Sequence, residues 1–295
     1  MIRVYKVCIF LACFFSIIFL QSCAVFFSGS GNSGFGGVGI GVGGTRSSTY
    51  VGAGVGTSNL GGGVVINPTS SLGLQVNQEI LRTRNVLSIE TVQTYVSSIG
   101  QVLSRNSGRS DIPFNFVVIK DPNINAFASP GGYIYVTTGM LDFLETESEL
   151  AAVLSHEMAH IVAKHHIKLA LTELGLDVTF DYLGKLLNYD PQTVVPRLAQ
   201  FVVLQKFSRN EEIQADEIGA LILARSGYSP YGMVRLFQSL ETVERRGFLS
   251  NFTASHPTSE DRVTYIEAYI RQNNLNQPGL IVDRPIFHQI TAQTQ

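Results

Sequence analysis

Charge is scarce in this chain. Asp, Glu, Lys and Arg make up only 15% of its 295 residues, and the net charge is −2. That balance leaves no basic surface for a polyanion, so no nucleic-acid partner is expected. Cysteine is scarcer still: Cys8, Cys13 and Cys23 are the only three, and none follows residue 23. Everything beyond that point must therefore fold without a disulfide. An ordinary core has to supply the stability, and 45% hydrophobic residues are enough for one. Any metal centre must be built from His, Asp or Glu. No internal repeat is evident, and the length fits one or two domains.

The N-terminus carries a different pattern. Arg3 and Lys6 give a basic start, and Val7 to Leu20 is an apolar run of fourteen residues. That is short for a membrane span and right for the core of a secretory leader. The run ends in "LQSC", Leu20 to Cys23, which resembles a bacterial lipobox. Residues 1–22 read as a lipoprotein signal peptide, with Cys23 as the lipidated first residue of the mature chain. The alternative is an uncleaved anchor helix; either one tethers the chain to a membrane outside the cytoplasm. Ala24 is not the acidic residue that would resemble an inner-membrane retention signal, so the outer membrane is the expected address.

Fifteen of the 28 glycines lie between Gly29 and Gly63, with Arg46 as the only charge. Glycine gives backbone freedom and no side chain to bury, so residues 23–70 read as a lipid-attached tether. A coil of that length spans about 40 Å. The competing reading is that "GFGGVGIGVGG" pairs as strands or rests on lipid. A folded domain is expected over 71–272, followed by a polar C-terminal tail over 273–295.

Within the domain, Val92, Val96, Ile99 and Leu103 recur at helical spacing, and the stretch before "FNFVVIKD" reads as two helices. Phe114 to Asp121 and Tyr133 to Thr138 are β-rich, and Pro130-Gly131-Gly132 is turn chemistry. These predict a small sheet with a hairpin. Leu150, Leu154, Met158 and Ile161 form the apolar stripe of a following helix.

That helix carries "SHEMAHIVAKHH". Residues four apart advance about 400° around a helix, so His156 and His160 share a face. Both rings can reach one zinc ion, while Glu157 sits where it can take a proton from a water at that centre. Chance is the competing explanation, as is a His-rich surface helix. Downstream, "FSRNEEIQADEIGALILA" places Glu212 and Asp216 on one helix face. One of them can ligate the metal and the other can accept the N–H of a ligating histidine. The competing reading is a solvated acidic face. His256, in "SHPTSEDRV", is a loop histidine, a donor to a developing oxyanion, or an occupant of the metal's open position. Arg262 is a candidate for positioning that region. His165 and His166 have no assigned task and are expected on the surface or in support of the ligands.

Four stretches carry a resemblance: "NAFASPGGYIYVTTGML", "ELAAVLSHEMAHIVAKHH", "FSRNEEIQADEIGA" and "SHPTSEDRV". Together, over about residues 73–270, they resemble the zinc endopeptidase family of the HtpX and CAAX-prenyl-protease type, and within it the soluble bacterial lipoprotein members of LoiP-like kind. The resemblance implies an α+β fold, a mostly helical thermolysin-like (gluzincin) unit with a small β-sheet. It implies one zinc ion per chain held by His156, His160 and Glu212, with Glu157 as the catalytic base and Asp216 supporting a ligand. It also implies protein cleavage, with an extended peptide bound along the edge strand Asn125, Ala126, Phe127, Ala128 near the zinc.

Membrane members of the family place transmembrane helices between the two zinc motifs. Here Ile167 to Gln205 contains Lys168, Glu173, Asp177, Asp181, Lys185, Asp190 and Arg197, so amphipathic helices are expected instead. The implied substrates are misfolded or damaged envelope proteins. The rivals are a membrane-tethered, chaperone-like peptide binder with a zinc site and a non-proteolytic zinc hydrolase.

Overall fold

Two helices lead into a three-stranded sheet, and further helices follow it. The computed structural model describes residues 68–173, 191–246, 250–257 and 260–294. The expected leader, Cys23 and the Gly-rich segment up to residue 67 lie outside the described residues. Helix α1 is Pro68–Thr83 and α2 is Glu90–Arg105. The expected stripe of α2, Val92, Val96, Ile99 and Leu103, is buried. Burying each of these side chains contributes roughly 1.5–3 kcal/mol.

The strands are β1 Asn115–Ile119, β2 Ala126–Ser129 and β3 Tyr133–Thr137. Their order is β1-β3-β2. β1 runs parallel to β3, from Asn115↔Tyr133 to Ile119↔Thr137. β2 pairs antiparallel with β3, from Ala126↔Val136 to Ser129↔Tyr133, which is the expected hairpin. Its turn needs glycine. Gly131 and Gly132 take φ of 91° and 93°, and a Cβ on Gly132 would stand 2.8 Å from the Pro113 carbonyl oxygen.

Thr137 caps the short helix α3, Thr138–Phe143, by accepting from the Met140 amide. Helix α4, Glu147–Val162, then starts in a capping box of Thr146 and Glu149. The sequence suggests one apolar stripe on α4. In the structure every residue from Glu147 to Ile161 is buried. The difference is physical: small residues (Ala151, Ala152, Ser155, Ala159) let neighbours close over the remaining faces. One neighbour comes especially near. A Cβ on Gly232 would lie 2.3 Å from the Ser148 carbonyl oxygen.

The helices after α4 are α5 His165–Glu173, α6 Pro191–Leu204, α7 Arg209–Arg225 and α8 Tyr231–Arg245, then α9 Asn251–Ser255, α10 Glu260–Gln272 and α11 Pro285–Thr291. α7 and α8 pack on α4, while α6 packs on α1 and on β2. Val194, Val195, Leu198, Ala199 and Val202 of α6 form a second apolar cluster with Phe127, Tyr135, Val76 and Ile80. Among the described residues no helix is long and apolar enough to cross a membrane. The fold is mostly helical with a small mixed sheet, an α+β unit.

Two expected boundaries move. Helix α1 begins at Pro68, inside the stretch assigned to the tether. Residues 273–294 are no loose polar tail. The Ile281 amide donates to Gly227 O, and Ile281 O accepts from the Ser229 amide, both at 2.8 Å. Val282 O accepts from the Ser148 amide at 2.9 Å. Phe287 and Ile290 are buried in the main core. Arg284 pairs with Glu147, the first residue of α4, donating from Nε at 2.6 Å. Tyr95 and Tyr228 donate to the same buried carboxylate at 2.7 and 2.8 Å. A polar composition concealed a segment that anchors the central helix.

Candidate metal centre and active site

The helical spacing of α4 does what the sequence implied: His156 and His160 put their Nε2 atoms 3.1 Å apart. α7 packs against that face of α4 and brings Glu212 to them. Glu212 Oε1 is 3.4 Å from His160 Nε2, and Oε2 is 3.5 Å from His156 Nε2. A fourth donor arrives from beyond α9. His256 Nδ1 lies 3.2 Å from His156 Nε2 and 2.9 Å from Glu212 Oε1. One ligand atom from each of the four residues falls within 4.8 Å of all the others, and all four residues are buried.

These distances suit a metal. Four donors about 2.1 Å from one tetrahedral centre stand about 3.4 Å from one another. Buried imidazole and carboxylate donors with no cysteine fit zinc chemistry of the hydrolytic kind. One departure from a working hydrolytic site is plain: the protein itself offers all four donors, where such sites keep one position open.

Electrostatics follow from burial. Desolvation opposes a charged His156 ring, but Asp216 and Glu212 beside it prevail and raise its pKa to about 9. His160 has less compensation, so burial carries its pKa well below the ordinary value. Burial also opposes the charged form of Glu212, yet His256 and Arg262 hold its carboxyl well below the usual range.

Glu157 differs from these. It is fully buried, and neither carboxylate oxygen has a hydrogen-bond partner. His256 Nε2 lies 3.3 Å from its Oε1. Burial raises its pKa, which moves a carboxylate toward the range of a useful proton acceptor.

The supporting residues are laid out around this group. Asp216 Oδ1 lies 3.0 Å from His156 Nδ1, off the line of a regular hydrogen bond. Arg262 grips Asp216 with two bonds, of 2.6 and 2.8 Å. Its Nη1 reaches Glu212 Oε2 at 2.7 Å and donates to Pro257 O at 3.0 Å. The guanidinium also sits 4.3 Å above the Phe237 ring. Arg262 thus ties together the two carboxylates of α7 and the turn that follows His256. Thr258 and Ser259, between His256 and α10, lie outside the described residues.

His165 and His166 are not surface residues; both are buried. His165 Nδ1 is 3.0 Å from His160 Nδ1, and its Nε2 is 3.0 Å from Gln214 Oε1. The Gln205 amide nitrogen donates to His166 Nδ1 at 2.6 Å. Sequence reasoning also missed two aromatic supports. Phe207 stacks on His160 with centroids 3.8 Å apart, and Phe252 stacks on His256 at 4.7 Å. Phe207 lies inside the "FSRNEE" stretch, but no spacing rule marks a ring that acts only by stacking.

The edge strand is where the sequence put it, with a correction. β2 is the outer strand of the sheet, and the backbone at Ala128 is among the groups acting on Glu157. It is not exposed: Asn125, Ala126, Phe127, Ala128 and Ser129 are all buried. Helix α6 lies against it, and the amide of Phe252, in α9, donates to Ile124 O just before it.

Comparison with known proteins agrees with this geometry. The model of "Peptidase family M48" matches residues 90–270. The chain is 33% identical over 195 residues to mitochondrial metalloendopeptidase OMA1 of Schizosaccharomyces pombe, covering 63% of this chain and 56% of that protein. It is 31% identical over 157 residues to metalloprotease LoiP of Escherichia coli, covering 52% and 62%. It is 28% identical over 183 residues to a beta-barrel assembly-enhancing protease of Yersinia pestis, covering 58% and 37%. The chain therefore spans about half the length of the curated relatives it matches.

Proposed function

Because the chain belongs to peptidase family M48, we propose that it is a zinc-dependent endopeptidase, tethered to the cell envelope through lipidated Cys23. Misfolded or damaged envelope proteins are its proposed substrates. The observation that carries the reading is Glu157: a fully buried carboxylate beside His156 and Glu212, with His256 Nε2 at 3.3 Å. A site that served structure alone would have no use for such a group.

His156, His160 and Glu212 would hold the zinc. When bound, the metal polarises a carbonyl and makes water easier to deprotonate. The chain's own residues do the rest. Glu157 takes the proton of the attacking water and returns it to the nitrogen of the leaving amine. Asp216 keeps the His156 ring oriented, and Arg262 holds Asp216 and Glu212 in place. An extended peptide pairs along β2, from Asn125 to Ala128, next to Glu157.

The structure supports a latent form of this enzyme. His256 fills the fourth donor position, and β2 is covered. Of the two roles that the sequence leaves to His256, the latch has the geometry in its favour. The tether, the leader and the outer-membrane address rest on the sequence of residues 1–67.

The completed donor set also gives a second reading some force: a peptide-binding, chaperone-like protein that keeps zinc and does not cut. Casein degradation by the full chain, with and without a chelator, separates the two. Chelator-sensitive cleavage supports the peptidase, and zinc-loaded protein that leaves casein intact contradicts it.

A further inference from the structure

Each of the two ligand histidines has an inner nitrogen to satisfy. For His156 the neighbour is Asp216. For His160 it is His165, and nothing in the proposed mechanism uses that residue. The contact is unexpected from spacing. Residues five apart on a continuous helix are about 140° apart around the axis and cannot face each other. Here α4 ends at Val162, and Lys164 adopts a left-handed φ of 62°. That turn starts α5 at His165 and folds its ring back beside His160. A lysine in this region is disfavoured, since its Cβ crowds the backbone. Such backbone persists where its surroundings hold it in place, and it clusters at functional sites.

We propose that His165 is a positioning residue for His160, the middle of a chain that runs His160, His165, Gln214. The inference rests on the zinc-peptidase reading. Proton positions follow from the geometry. His160 Nε2 points at the donor cluster and must keep its lone pair for the metal, so its proton is on Nδ1. That N–H donates to His165 Nδ1 at 3.0 Å. His165 therefore carries its own proton on Nε2, which donates to Gln214 Oε1 at 3.0 Å. Each acceptor fixes the tautomer of the ring before it.

The choice of histidine has a charge rationale. Glu212 and Asp216 already bring two carboxylates to the centre, with Glu157 close by. A third carboxylate behind His160 would add repulsion in a buried site. A neutral imidazole accepts the same hydrogen bond without adding charge. Phe207, stacked on His160, restrains the ring's tilt while His165 restrains its rotation.

The test is zinc affinity of the full chain, measured by competition with a chromophoric chelator and supported by the visible spectrum after cobalt substitution. His165→Leu is expected to bind zinc 10- to 100-fold more weakly and to alter the cobalt spectrum. His165→Asn, whose amide oxygen takes the place of Nδ1, is expected to recover most of that loss. Gln214→Leu lies on an exposed position and leaves the fold intact; it is expected to weaken zinc binding a few-fold through His165 alone. Wild-type affinity in both His165→Leu and Gln214→Leu overturns the inference. So does an Asn variant as weak as the Leu variant, because packing rather than an acceptor would then be at stake. A wild type that takes up no zinc at all overturns the peptidase reading, and this inference with it.

Discussion

His256 Nδ1 stands 2.9 Å from Glu212 Oε1 and 3.2 Å from His156 Nε2, inside the donor cluster rather than beside it. A ring in that position competes with water and substrate for the metal. His256→Ala therefore removes a competitor while His156, His160 and Glu212 remain. We expect zinc to stay bound and casein cleavage to rise. A latch worth about 1.4 kcal/mol holds activity back about tenfold. Loss of cleavage with zinc retained would instead assign His256 to oxyanion stabilisation.

Arg262 is the counter-charge of the centre. It contacts Asp216 twice and Glu212 once, all three side chains being buried. Arg262→Met leaves two buried carboxylates without their cation. Removing one partner of a buried ion pair costs about 3–5 kcal/mol. Lysine cannot reproduce the fork that spans both carboxylates and the Pro257 carbonyl, so Arg262→Lys should recover little. Denaturant unfolding of the two variants measures this, and a loss under about 1 kcal/mol in Arg262→Met would contradict it.

Arg284 makes a comparable contact at the first residue of α4. Glu147 is fully buried and receives Arg284, Tyr95 and Tyr228. Arg284→Ala leaves that charge with two hydroxyls only and should cost about 3 kcal/mol. Deleting residues 273–295 should cost more, because Phe287 and Ile290 leave the core as well. A truncated chain with unchanged thermal stability would contradict this.

The sequence made the local chemistry legible and the long-range geometry less so. His156 with His160, and Glu212 with Asp216, were readable as pairs because each repeats at helical spacing, which fixes a shared face whatever surrounds it; that Glu212 is the ligand and Asp216 its support came only from the family resemblance. Arg262 and His256 were visible only as members of a motif. Their contacts join α4, α7 and the turn after α9, and no spacing encodes that meeting. For His165 the sequence left open a surface place or one in support of the ligands. Its burial depends on one left-handed residue that the sequence does not announce. The edge strand was placed correctly, but its exposure was misjudged. The apolar face of α6 that covers it lies some 70 residues downstream.

The central claim is that Glu157 works on water beside a metal that other residues hold. The most direct measurement is zinc content together with casein cleavage, for wild type and Glu157→Gln, in the full chain. About one zinc per chain is expected in both proteins. Chelator-sensitive cleavage is expected of the wild type, and a loss of about 100-fold or more in the variant, in keeping with removal of a general base. A Glu157→Gln variant that keeps its zinc and cleaves casein at the wild-type rate would contradict that claim.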